Sequence, residues 1–163
     1  MSKDEYVHWV LDYNNGLHVN KKFGEYLFDV QYQPRDFIRI LRNDFNFDDS
    51  LEYFTLQIHL KDSTSDFMTY HVSNVVEKQQ RLYYFSYLFQ DGIFLEEANE
   101  KHPCVLYHFE QADVLHKRTF ILAFEKSASK QIKEAKLIID SPYFGSLPIA
   151  IKISKVNIPS LKL

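Results

Sequence analysis

Hydrophobic and polar residues alternate along much of the chain with a period of two. In residues 51–60, Phe54, Leu56, Ile58 and Leu60 share one phase, and Tyr53, Thr55, Gln57 and His59 fill the other. Successive strand residues point to opposite faces, so the spacing predicts a strand with one apolar side. Residues 25–33 read the same way, with Tyr26, Phe28, Val30 and Tyr32 in one phase. Asn14-Asn15-Gly16 marks a turn before a strand over residues 17–22, because Asn and Gly tolerate positive φ.

Two short stretches read as helix. Pro34 suits a first helical turn, and Phe37, Ile40 and Leu41 follow at helical spacing, predicting a helix over residues 34–43. Asn74 with Glu77 resembles a capping box ahead of a helix over residues 75–81. From residue 82 onward the pattern predicts strands over residues 82–90, 93–97, 104–110, 119–125, 135–140 and 149–154. Asp91-Gly92 is read as a hairpin turn and residues 100–103 as a further turn. Short strands in succession with no helix between them predict a mainly β fold. The expected form is an antiparallel β-sandwich, immunoglobulin-like in the loose sense, with one or two short helices. Residues 1–5 are read as a polar N-terminal tether or tag, and residues 6–163 as one domain.

Composition supports the β reading and narrows the function. The 14 Phe and 11 Tyr bring the aromatic share to 16%, and aromatic side chains favour the pleated surface of strands. Net charge is −3 with both signs interspersed, which lacks the basic stripe that nucleic-acid binding requires. No apolar run approaches the roughly 20 residues that span a bilayer. Met1-Ser2-Lys3-Asp4-Glu5 lacks an apolar export segment, so the expectation is a cytoplasmic chain or one whose leader has been removed. Cys104 is the only cysteine and lies in an apolar run, which predicts an inert buried thiol.

Motifs that would carry chemistry are missing. The seven histidines show no spacing that would place two ligands on one helix face. There is no glycine-rich phosphate loop and no Gly-x-Ser-x-Gly elbow. Glu96 and Glu97 are adjacent, so on a strand they point apart and do not converge on a substrate. His102, His108, Glu110 and Asp113 are the one candidate polar cluster, grouped at a loop end. Tyr83, Tyr84 and Tyr87 are candidate partner-binding aromatics, because the run Leu82-Tyr83-Tyr84-Phe85-Ser86-Tyr87-Leu88-Phe89 is apolar in both phases. No catalytic residue, metal or cofactor is expected.

Several runs carry a resemblance. They are Trp9, Asn15-Gly16-Leu17, Phe28-Asp29-Val30-Gln31-Tyr32-Gln33-Pro34, Pro103-Cys104-Val105-Leu106-Tyr107-His108-Phe109-Glu110, and Thr119-Phe120-Ile121-Leu122-Ala123-Phe124-Glu125-Lys126. Together with the ending Ile158 to Leu163, they resemble a group of small lipoproteins of Bacteroidota that has no assigned activity. The resemblance implies an envelope lipoprotein of the outer membrane, including its outer face, tethered through a lipidated N-terminal cysteine standing where Met1 is here. Ser2-Lys3-Asp4-Glu5 is then similar to the acidic tag of exported lipoproteins, and the membrane is met only through acyl chains. The function expected is non-catalytic binding of a protein or glycan partner. Alternatives are a structural subunit of an envelope secretion or motility machine, and a hydrolase with a loop-end site around His108.

Overall fold

The computed structural model describes residues 1–42, 47–110, 116–129 and 132–161. Among these residues, eight strands form one antiparallel sheet: β1 (His18–Phe23), β2 (Tyr26–Gln33), β3 (Leu51–Leu60), β4 (Ile93–Glu97), β5 (Glu100–Phe109), β6 (Arg118–Glu125), β7 (Glu134–Ile139) and β8 (Ile149–Ser154). Their order is β1-β2-β3-β6-β5-β4-β7-β8. The antiparallel mainly β class read from the sequence is present. Its two layers are opposite walls of a single curled, barrel-like sheet.

The ends of that sheet approach one another. Ser154 N donates to Gly16 O at 3.1 Å, and the Lys21 ammonium donates to Ala150 O at 3.0 Å. Gly16 has φ 90, and a Cβ there would lie 2.7 Å from Ser154 Cβ, so the seam closes only around a glycine.

The phase read in the sequence decides what lies inside. Phe28, Val30, Phe54, Leu56, Ile58, Phe120, Leu122, Phe124, Ile93, Leu95, Leu137, Ile151 and Ile153 are all buried in one core. Phe67, Phe85, Phe89 and Phe144 fill one end of it, with Phe85 5.1 Å from both Phe67 and Phe89 in edge-to-face geometry. The barrel is therefore packed with side chains.

Among the described residues, three helices clothe the outside: α1 (Lys3–Leu11), α2 (Arg35–Leu41) and α3 (Val75–Tyr83). The second and third fall on the two predicted helices. The first was not foreseen. Ser2 caps it reciprocally with Glu5, so the Ser2-Lys3-Asp4-Glu5 stretch forms its first turn. Tyr6 and Val10 then pack against Leu17 and Phe37, while Ile38 of α2 covers Tyr53 and Ala123 on the outer sheet surface.

One predicted strand is overturned. Residues 82–90 are helical: α3 runs on into a π-helical turn, Tyr84–Leu88, and a 3₁₀ turn, Phe89–Gly92. Asp91-Gly92 is accordingly no hairpin. Glycine is needed there because a Cβ on Gly92 would sit 2.0 Å from Asp140 O. The turn expected at residues 100–103 belongs to β5, and the chain reverses at Ala98 and Asn99, both at positive φ.

Candidate functional site

Tyr83, Tyr84 and Tyr87 lie at the junction of α3 and the π turn. Asn74 caps α3 by accepting from Glu77 N at 2.9 Å. The Arg81 guanidinium pins the helix to the body, donating to Phe67 O at 2.8 Å and to Tyr70 O. It also lies over the Tyr143 ring at 5.2 Å. Helical spacing splits the aromatics into two pairs. Phe85 and Phe89 point inward and are fully buried, whereas Tyr83 and Tyr87 are 57% and 66% exposed. The two outer rings pair with their centroids 5.2 Å apart. Tyr84 belongs to neither pair: its hydroxyl donates to Ser141 Oγ at 2.7 Å and its ring packs 4.8 Å from Tyr143.

More apolar surface is exposed along the same segment. Val75, Val76, Leu82 and Leu88 are exposed, as are Val105 and Leu106 on β5. Gln90 Nε2 donates to Cys104 O at 2.9 Å, which lays the end of this segment beside β5 at its bulge between Cys104 and Leu106. A π turn inside a helix is rare and is frequent at functional sites. Among the described residues no helix is long and apolar enough to cross a membrane.

The polar cluster expected at a loop end is not assembled. His102 and His108 lie on β5 six positions apart, about 20 Å at strand rise. His108 is exposed and pairs with Ile121. Glu110 N donates to Thr119 O at 2.9 Å just past the strand. Asp113 lies outside the described residues. Among those residues, no group of three His, Cys, Asp or Glu side chains could hold a metal ion.

His102 instead belongs to a cluster at the opposite end of the barrel. Lys155 Nζ lies 2.5 Å from Glu52 Oε1 and 2.8 Å from Glu97 Oε2, and all three side chains are more than nine-tenths buried. The Tyr32 ring lies 4.7 Å from the ammonium. Ser127 Oγ is 3.2 Å from Glu97 Oε1 and 2.7 Å from His102 Nε2, which also meets Glu100 Oε2 at 3.2 Å. Burial pushes the Glu52 carboxyl up, to about 7, and a hydrogen bond to Glu97 pushes it the same way against the pull of Lys155. Glu97 is held below its usual range: burial acts upward, but the bonds from Glu52, Lys155 and Ser127 outweigh it.

No family model, curated protein or solved structure matches the chain.

Ser127, His102 and a carboxylate do not make a nucleophilic triad. In that device the carboxylate orients His through the nitrogen that does not face the serine. Here Ser127 and Glu100 meet the same nitrogen, and Ser127 directs its own hydrogen toward Glu97. Cys104 is no better a nucleophile: it is buried, its Sγ donates to Leu106 O at 3.1 Å, and burial pushes the thiol up to about 12.

The ion cluster carries a signal in the sequence. Glu52 shares the phase of Phe54, Leu56 and Ile58; Glu97 follows Ile93 and Leu95; Lys155 follows Ile149, Ile151 and Ile153. Three charges continuing three inward-facing apolar series meet at one barrel end.

Proposed function

We propose that this protein is a non-catalytic binding module that docks another protein through the exposed face of α3 and its π turn. The observation that carries this reading is the Tyr83–Tyr87 pair, exposed beside Leu82 and Leu88 on a segment anchored by Arg81, Phe85 and Phe89. Tyrosines held on a rigid element supply large contact area at little entropic cost, and they are enriched among residues that dominate binding energy. The interior supports an exterior role, because the core is occupied by the protein's own side chains. The two rings are tilted by 52° and form no flat platform for a sugar face, which favours a protein partner over a glycan.

With this reading goes a proposed place in the cell. The resemblance to envelope lipoproteins and the acidic Ser2-Lys3-Asp4-Glu5 stretch support a tethered envelope protein, with a cytoplasmic protein as the alternative. Metabolic labelling of the native gene product with an alkynyl fatty acid separates the two: a labelled product in the membrane fraction supports the tether, and an unlabelled soluble product refutes it.

The docking face is tested by placing a photo-crosslinking amino acid at position 87, and separately at exposed Lys22 on β1, in cells that make the protein. A discrete adduct formed from position 87 only, and lost with Tyr83→Asp, supports the face. Identical adducts from both positions, or specific retention on a glycan array that survives Tyr83→Asp/Tyr87→Asp, overturn it.

A further inference from the structure

We propose that the barrel end formed by Glu52, Glu97 and Lys155 is a proton-binding site, wired to solvent through Ser127 and His102, that fastens the C-terminal segment in a pH-dependent way. The proposal stands apart from the docking face and rests on different residues.

The geometry contains a sink, a wire and a mouth. One ammonium faces two carboxylates, at 2.5 Å and 2.8 Å, in a setting that exposes none of Glu97 and only 6% and 8% of Lys155 and Glu52. One cation balances one of these anions, and an unbalanced buried charge is costly. Glu52 Oε2 is buried with no hydrogen-bond partner when the group is a bare carboxylate. A proton shared by Glu52 and Glu97 resolves both problems: the cluster then carries one positive and one negative charge. Without the proton it carries one positive and two negative.

Protons reach the pair along a chain of short contacts. His102 Nε2–H donates to Ser127 Oγ, and the Ser127 hydroxyl donates to Glu97 Oε1. An incoming proton first makes His102 an imidazolium, with a proton on each ring nitrogen; its Nε2 proton then passes to Ser127 Oγ as the hydroxyl proton of Ser127 moves to Glu97. The ring left behind is a neutral imidazole that keeps its Nδ1 proton, and it is recharged from solvent beside Glu100, whose side chain is half exposed.

Among the described residues, charged or titratable groups on β2, α1 and α2 lie around the cluster. Tyr32 of β2 lies against the ammonium, and Tyr6 of α1 faces Tyr32. Arg35 of α2 pairs with Asp49 at 3.2 Å. These two and Lys126 line a cavity of about 60 Å³ that also touches Glu52, room for a few waters at about 15 Å³ each.

The cluster bears on the fold through Lys155. That residue starts the segment leading to Ile158 and Leu161, which pack onto the α1–α2 cluster around Tyr6, Val10 and Phe37. Losing the shared proton unbalances the clamp where this segment begins. The sign follows from Glu52, whose folded value lies above the ordinary 4.5. Its stabilisation is full below 4.5 and is lost as pH rises through the folded value near neutrality.

The test is carbon NMR of the intact protein labelled at glutamate Cδ, followed from about pH 4 to 9 and paired with hydrogen exchange of residues 155–161. One resonance, identified by its absence in Glu52→Gln, should titrate within about one unit of 7. The protection of residues 155–161, the intrinsic exchange rate at each pH relative to the observed rate, should fall across the same range in the wild type and become independent of pH in Glu52→Gln. In Lys155→Met the Glu52 midpoint should move higher still. A spectrum in which every glutamate titrates below about 5.5 overturns the proposal. So does protection of residues 155–161 with the same pH dependence in wild type and Glu52→Gln. Both readouts need only the wild type and Glu52→Gln, so the proposal stays falsifiable if Lys155→Met does not fold.

Discussion

Raising the pH through the titration of His18 should loosen the join between α1 and the barrel. His18 Nδ1 lies 2.8 Å from Leu11 O, in the last turn of α1, and Nε2 lies 2.7 Å from Asp29 Oδ2 on β2. Both partners only accept. The carbonyl has no proton to give. Asp29 is ionised, because the bonds from His18 and Tyr13 outweigh the effect of burial and hold its carboxyl below the usual range. A neutral imidazole has one N–H, so both bonds are made together only by the imidazolium. Burial by itself would lower the His18 value, but the bonds to Asp29 and Leu11 outweigh it and the value is raised above 6.5. The stabilisation is therefore complete below the unfolded value near 6.5 and is lost as pH rises through the folded value above it.

The size of the effect follows from the contact. Hydrogen bonds to charged groups contribute about 1.5–3 kcal/mol. These side chains are 14% and 15% exposed, so the low end applies and losing one bond costs about 1.5–2 kcal/mol. For a chain of this size that is a fall of about 3 to 8 °C in Tm. The assay is thermal unfolding of wild type and His18→Gln at about pH 5.5 and 8.5, with the His18 ring followed by NMR. Glutamine still donates to Asp29 but does not titrate, so the difference between the two proteins removes the contribution of Glu52. The wild-type advantage should shrink by that amount at the higher pH, with a ring midpoint above 6.5. An equal advantage at both pH values, or a ring midpoint at or below the ordinary value, refutes the reasoning.

Other residues give sharper, smaller tests. Gly92→Ala places a methyl 2.0 Å from Asp140 O and should cost about 3 kcal/mol or more in denaturant unfolding; a near-neutral result contradicts the close approach. Phe85→Ala should cost about 3–5 kcal/mol, whereas Tyr87→Ala should stay within about 0.5; equal losses would contradict the inward and outward split. Cys104, 7% exposed with its thiol pushed up to about 12, should react with a thiol reagent only at the rate of unfolding, so rapid labelling of the native protein would contradict its burial.

Strand periodicity carried most of the fold. Residues 51–60 and 25–33 alternate cleanly because one face meets the core and the other meets water or a covering helix, and they are β3 and β2. Residues 82–90 defeated the same reasoning. They carry almost no polar residue, so the run fits a strand buried on both sides as well as a helix. The decisive clue was the i,i+4 spacing of Tyr83 with Tyr87 and of Phe85 with Phe89, which only a helix sorts into an outer and an inner pair. The α1 helix announced itself through Ser2 and Glu5, a capping-box spacing hidden inside a stretch that also reads as a polar tail. Buried charge was the hardest feature to see. Glu52 and Lys155 are 103 residues apart, and only sheet topology shows that their two inward phases end at the same place. His102 stood in the candidate list for a different reason. It was grouped with His108 by closeness in sequence, which along a strand is distance in space.

The outer face of α3 is the proposed binding surface. Its most direct test is titration calorimetry of the purified protein crosslinked at position 87, against wild type and Tyr83→Ala/Tyr87→Ala. Loss of two anchoring tyrosines of this kind should weaken binding by about 30-fold or more, the equivalent of about 2 kcal/mol, with Tm unchanged. Equal affinity of the two proteins at equal Tm would contradict the assignment of this face as the binding surface.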